Sequence, residues 1–90
     1  MMGGLQMMIR RLLFTPSPPP GDYILTRTGV SWNLDRTTDR GSVLRVSAGE
    51  TARETALASI RVRAENDKVD AWEMQAPGSY RLIKACRSPA

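Results

Sequence analysis

Apolar and polar positions alternate along the middle of the chain. Val30, Trp32 and Leu34 are each followed by a polar residue, a pattern typical of a strand with one buried and one exposed face. Residues 23–27 before them are rich in β-branched and aromatic side chains, and a Thr-Gly break separates the two runs. The pattern therefore predicts a β-hairpin over residues 23–35.

Three more strands are predicted from the rest of the chain. Residues 42–46 alternate in the same way and are expected to form the third strand. Residues 69–75 and 80–86 flank Pro77-Gly78, the two residue types preferred at the centre of a type II turn. We therefore predict that the fourth and fifth strands form a second hairpin.

Between the third and fourth strands the spacing of apolar residues becomes helical. One stripe consists of Ala56, Leu57, Ile60 and Ala64. The preceding Thr51-Ala52-Arg53-Glu54 fits a capping box with Thr51 as the N-cap, and residues 66–68 are expected to end the helix.

The resulting order of elements is β-β-β-α-β-β, which defines an α+β fold. We expect an antiparallel or mixed sheet with one helix packed on one face. The predicted core consists of Trp32, Leu34, Leu44, Val46, Ala56, Leu57, Ile60 and Ala64. All of these elements lie within residues 22–87, which we interpret as a single domain followed by a tail over 88–90.

The chain before residue 22 has a different character. Residues 1–14 form a short amphipathic segment, and its apolar stripe consists of Leu5, Met8, Ile9, Leu12 and Leu13. The stripe is shorter than the ~20 apolar residues that a bilayer-crossing helix needs, so we expect no membrane span. It is either a helix that docks on a partner or a frayed tail. Residues 15–21 contain four prolines and are interpreted as an extended spacer.

Composition excludes several kinds of chemistry. The chain has no His and a single cysteine, Cys86, so it lacks the residues for an intramolecular disulfide, a zinc site, or a Ser/His or Cys/His nucleophile. No glycine-rich phosphate-binding motif occurs. We therefore expect a cytoplasmic protein that is not an enzyme and that binds neither a metal nor a cofactor.

Charge and the helix-free face of the sheet suggest contact with DNA or RNA. The 13 Lys and Arg residues against nine Asp and Glu residues give a formal charge of +4. Asn and Arg side chains on adjacent strands suit adenine and guanine edges, and Arg side chains at strand ends suit phosphates. The candidate residues are Arg27, Ser31, Asn33, Arg36, Arg40 and Arg45. Whether Thr26 or Arg27 shares the helix-free face depends on a strand register that the sequence leaves open.

The alternative function is a protein-interaction or assembly module, such as a homodimer. Aromatic side chains are enriched at protein interfaces, and the last predicted hairpin contains Trp72 and Tyr80. These two residues and the apolar stripe of residues 1–14 are the candidate interface.

Parts of the chain resemble two known families. The order of three strands and a helix, with Trp32 on the second strand and residues 51–54 at the helix start, resembles DNA-binding domains that lay a three-stranded sheet in a groove. Residues 47–51 before an Ala-rich helix are similar to the partial RNase H fold of HicB-type antitoxins. Each resemblance covers about half of the chain and omits the hairpin over 69–86. Both concern the fold, so function has to be argued from the site.

Overall fold

A computed structural model describes residues 18–40 and 42–87 of this protein. The elements are β1 (Tyr23–Thr28), β2 (Ser31–Thr37), β3 (Val43–Glu50), α1 (Arg53–Asp67), β4 (Ala71–Ala76) and β5 (Ser79–Lys84). The strands form one sheet in the order β3-β2-β1-β4-β5, and α1 packs on one face of it. The predicted α+β fold and its β-β-β-α-β-β order are therefore confirmed.

The sheet is mixed because one of its strand pairs is parallel. The β1–β2, β2–β3 and β4–β5 pairs are antiparallel, whereas β1 and β4 run parallel at the centre of the sheet. Parallel strands need a long connection, and here β2, β3 and α1 provide it. The helix thus carries the chain from one edge of the sheet back to its middle.

The hydrophobic core lies between α1 and the central strands. Leu25 of β1 and Ile60 of α1 are fully buried, and Leu34 of β2 packs in the same cluster. Ala64 and Ala71 are also fully buried, and their small side chains allow the helix to approach the sheet closely. Of the predicted core, Leu34, Ala56, Leu57, Ile60 and Ala64 are buried, while Trp32 and Val46 pack against its margin.

Two apolar residues are more exposed than the sequence pattern predicts. Leu44 is 59% exposed because β3 is an edge strand whose register is shifted by irregularities in its pairing with β2. Val30 is 76% exposed because it lies in the two-residue turn between β1 and β2 and not in the strand itself. Gly29 precedes it with a φ of +62°, a conformation that suits a tight turn.

The predicted capping box at the helix start is wrong. The N-cap is Ala52, whose methyl side chain cannot accept a hydrogen bond, and Thr51 makes no capping hydrogen bond. The carboxylate of Glu50 instead accepts a hydrogen bond of 3.0 Å from the backbone N–H of Ala52. Tertiary pairing explains the shift, because β3 continues to Glu50 opposite Trp32 and delays the start of the helix. The predicted helix end is confirmed, since Lys68 adopts the left-handed C-cap conformation.

The described end of the Pro-rich segment is attached to the sheet by a hydrogen bond. The hydroxyl of Thr37 donates to the carbonyl of Pro19 at 2.6 Å.

Within residues 18–40 and 42–87, no helix has the length and apolar character required to cross a bilayer.

Candidate functional site

One face of the sheet lies under α1, and no other described element covers the opposite face, which we call the helix-free face. The register pairs Ile24 with Asp35 and Thr26 with Asn33, all four of which point away from the helix. The parallel pairing aligns Trp72 with Ile24 on the same face. Thr26 and not Arg27 therefore shares this face.

Asp35 is the centre of a polar cluster on the helix-free face. The residue is 4% exposed, and its carboxylate accepts a hydrogen bond of 3.0 Å from the hydroxyl of Thr26. Arg45 on β3 donates to both oxygens, from Nε at 2.9 Å and from Nη2 at 3.3 Å. The hydrogen bond to Asp35 raises the pKa of Arg45 above its ordinary value. The guanidinium group of Arg45 therefore already forms a two-point ion pair with a carboxylate of the sheet.

Asn33, the candidate for adenine recognition, lies next to this cluster. It is 3% exposed, and its side-chain amide donates to the hydroxyl of Thr28 at 2.9 Å. Ser31 is half-buried at the end of the same strand. The structure thus brings Ser31, Asn33 and Arg45 onto one face as the sequence predicts, and the amide and the guanidinium both form hydrogen bonds with other side chains of the sheet.

Asp22 forms a second buried carboxylate at the end of the helix-free face. It is fully buried and accepts hydrogen bonds from Nε1 of Trp72 at 2.9 Å and from the backbone N–H of Asp70 at 3.1 Å. Arg87 forms an ion pair with the same carboxylate. Three segments of the chain therefore meet at one side chain, and these partners offset part of the cost of burying the carboxylate.

The half of the helix-free face formed by β1, β4 and β5 is apolar. Ile24, Trp72 and Leu82 lie side by side across these three strands, and Met74 and Tyr80 form the next cross-strand pair. Ile24 is buried, Trp72, Met74 and Tyr80 are partly exposed, and Leu82 is 46% exposed. We call Trp72, Met74, Tyr80 and Leu82 the hairpin patch. The predicted interface residues Trp72 and Tyr80 both belong to it.

The remaining candidates for nucleic-acid contact lie elsewhere. The side chain of Arg27 is on the helix side, where its guanidinium lies 5.6 Å from the ring centroid of Trp32. Arg36 is also on the helix side and bridges to Asp67 at 3.4 Å. Arg40 is exposed in the loop between β2 and β3. The six candidates therefore do not form one surface.

Comparison with known proteins gives no further guide. No family model matches the chain, and no curated protein or solved structure is significantly similar to it. The two resemblances seen in the sequence thus have no matching family or structure behind them.

One part of the predicted interface, the apolar stripe of Leu5, Met8, Ile9, Leu12 and Leu13, lies outside the described residues. In the part of the chain that the structure describes, no group of three or more His, Cys, Asp and Glu side chains is placed to hold a metal. Sequence reasoning missed the Asp22 cluster, because its partners are distant along the chain and leave no local signal.

Glu73 is a third buried carboxylate, and the sequence analysis also missed it. It lies on the helix side of β4, is 6% exposed, and forms ion pairs with Arg53 at 2.9 Å and Arg81 at 2.7 Å. A strand residue with this burial is normally apolar. The cost of burying its charge is offset by two guanidinium groups from different elements.

Proposed function

We propose that this protein is a small non-enzymatic assembly module that pairs with a second copy of itself through the hairpin patch. The observation that carries this proposal is the row of apolar side chains Ile24, Trp72 and Leu82 across β1, β4 and β5. A contiguous apolar patch on a small soluble domain is typical of an interaction surface. Tryptophan, tyrosine and methionine are among the residues enriched there.

A second copy is favoured as the partner by the chemistry of the patch. Its four side chains carry no charge, and an uncharged apolar surface is complementary to itself across a two-fold axis. The polar half of the same face has its buried groups satisfied internally by Arg45 and Thr28. A domain of this size also buries a modest share of its surface alone, so dimerisation adds to its stability.

The mass of the full chain in solution tests the proposal. We expect a dimer by size-exclusion chromatography with light scattering, and we expect Leu82→Glu to shift it to the monomer because a charge would be buried at the interface. Val62→Glu is the matched control, since Val62 is 56% exposed on the outer side of α1. The dimer should persist in this control.

Two results would contradict assembly through the hairpin patch. The first is a wild-type chain that remains a monomer at the highest soluble concentration. The second is an equal change of mass in Leu82→Glu and Val62→Glu, which would show that added charge and not the position of Leu82 matters.

Contact with DNA or RNA through the polar half of the face stays a prediction. Half of the formal charge of +4 comes from Arg10 and Arg11, which precede the described residues, and the guanidinium of Arg45 is paired with Asp35. Fluorescence anisotropy with labelled duplex and single-stranded DNA over a salt series measures this contact. Binding that is lost in Arg45→Gln but retained in Arg63→Gln would favour nucleic acid over assembly as the main function.

A further inference from the structure

A groove lies between α1 and the β5 edge of the sheet, and it meets the hairpin patch at Leu82. Arg53, Leu57 and Arg61 are spaced four residues apart and line the helix side of it, and Arg81, Leu82 and Ile83 line the strand side. Its volume is about 290 Å³. We call these six residues the arginine groove.

The arginine groove has an excess of positive charge. It contains three guanidinium groups but one carboxylate partner, Glu73, with which Arg53 and Arg81 both pair. Glu65, which follows Arg61 by four residues, pairs with Lys84, so Arg61 has no carboxylate partner in the described part of the chain. The side chains of Arg53 and Arg81 remain 40% and 61% exposed and keep N–H groups for a further acceptor.

The strand that borders the groove is the last of the sheet in the described residues. An edge strand presents backbone N–H and C=O groups that a further strand can pair with. Leu82 pairs with Trp72 and Lys84 with Ala71, so Ile83 is an extra residue that bends the edge. A second irregularity lies between Met74 and Ala76, so the regularly paired part of this edge strand runs from Tyr80 to Leu82.

We propose that the β5 edge and the arginine groove bind an extended acidic segment of another protein as a sixth strand. Alternate side chains of an added strand would point to the helix side, where carboxylates spaced two residues apart meet the guanidinium groups of Arg81 and Arg61. The edge supplies backbone pairing, and the apolar side chains of Leu57 and Ile83 form the floor.

A peptide fits this surface better than a nucleic acid does. The unpaired donors and acceptors of a strand edge match the repeat of a peptide backbone, which a sugar-phosphate chain lacks. The apolar floor of Leu57 and Ile83 also suits aliphatic side chains more than phosphates.

The experiment uses the full chain and a fluorescein-labelled peptide of alternating glutamate and valine. We expect salt-dependent binding by anisotropy, weakened about three- to tenfold by Arg61→Glu because one attraction becomes a repulsion. Arg63→Glu is the matched control, since it changes the net charge equally from the same helix outside the groove. We expect it to change the affinity by less than about twofold.

Two further probes define what binds. The same peptide with proline in place of every valine keeps the charge but cannot pair as a strand, and we expect it to bind more weakly. Equal affinity for both peptides, equal effects of Arg61→Glu and Arg63→Glu, or absence of binding would each overturn the proposal. Tighter binding of an oligothymidylate with the same dependence on Arg61 would assign the groove to phosphates instead. The mass of each variant, measured on the same samples, separates these outcomes from failure of the proposed dimer.

Discussion

The two faces of the sheet bury their central residues by different physical means. On the helix side, Leu25, Ile60 and Ala71 are removed from water by packing of apolar groups. On the helix-free side, the carboxylates of Asp22 and Asp35 are removed from water by hydrogen bonds and by Arg87 and Arg45. The first face stabilises the fold by the hydrophobic effect. The second neutralises charges that would otherwise be costly to bury, and on its β4–β5 half it presents the hairpin patch as apolar surface.

The strongest test of this comparison removes apolar volume from the helix side. We expect Ile60→Ala to lower the free energy of unfolding by about 2–5 kcal/mol, because it leaves a cavity at a fully buried position. Urea unfolding followed by circular dichroism measures the loss. Should this variant fail to fold, Ile60→Val, with an expected loss of about 0.5–1.5 kcal/mol, replaces it.

The control for Ile60 is Val62→Ala on the outer side of the same helix. Val62 is 56% exposed, so its truncation is expected to cost about 0.5 kcal/mol or less. Equal losses of unfolding free energy in Ile60→Ala and Val62→Ala would mean that packing of α1 on the core does not stabilise the fold.

A second test changes the charge of Asp22 without changing its size. Asp22→Asn turns one acceptor oxygen into an N–H donor that must face Nε1 of Trp72 or the backbone N–H of Asp70. We expect a loss of about 1–3 kcal/mol in the free energy of unfolding, because a buried donor loses its acceptor. Asp39→Asn, in the exposed loop after β2, should leave stability unchanged. An Asp22→Asn protein as stable as the wild type would show that the cluster contributes little.

The order and type of the elements could be read from the sequence because they depend on local patterns. Alternation predicted β2 and β3, and the β-branched and aromatic content of residues 23–27 predicted β1. The stripe from Ala56 to Ala64 predicted the helix, and Pro77-Gly78 predicted the turn of the second hairpin. Gly78 has a φ of +78°, as a type II turn requires at its third position. Each signal acts within a few residues and needs no knowledge of the fold.

For residues 23–26, the sequence did not predict which side chains lie on the helix side of the sheet and which lie on the helix-free face. Tyr23, Ile24, Leu25 and Thr26 are consecutive buried residues, so alternation does not say which of them meet the helix. Their assignment depends on the parallel pairing of β1 with β4, which joins residues far apart in the sequence. The core positions Tyr23, Leu25 and Ala71 were missed for this reason.

The arginine groove and the Asp22 cluster also differ in how much of each can be predicted from the sequence. The spacing of Arg53, Leu57 and Arg61 is visible in the sequence, but only the topology places this stripe beside β5. The cluster around Asp22 has no sequence signal at all, since its partners Trp72 and Arg87 follow 50 and 65 residues later. Buried charge pairs between distant segments are a property of the folded chain.

The smallest expected effect concerns the hydrogen bond that the hydroxyl of Tyr23 donates to the carboxylate of Asp67. Burial, and then this hydrogen bond, raise the pKa of Tyr23 above its ordinary value of 10.0. The contribution of the protonated hydroxyl is therefore complete below pH 10.0 and is lost as the pH rises through the pKa of the folded protein. We expect Tyr23→Phe to be less stable than the wild type by about 0.5–1 kcal/mol near neutral pH, with a difference that narrows above pH 10.0. Urea unfolding of both proteins from neutral to alkaline pH measures it, and Tyr80→Phe, in the hairpin patch, is the control. A constant difference across the series would show that the Tyr23 hydroxyl does not titrate differently in the folded and unfolded chains.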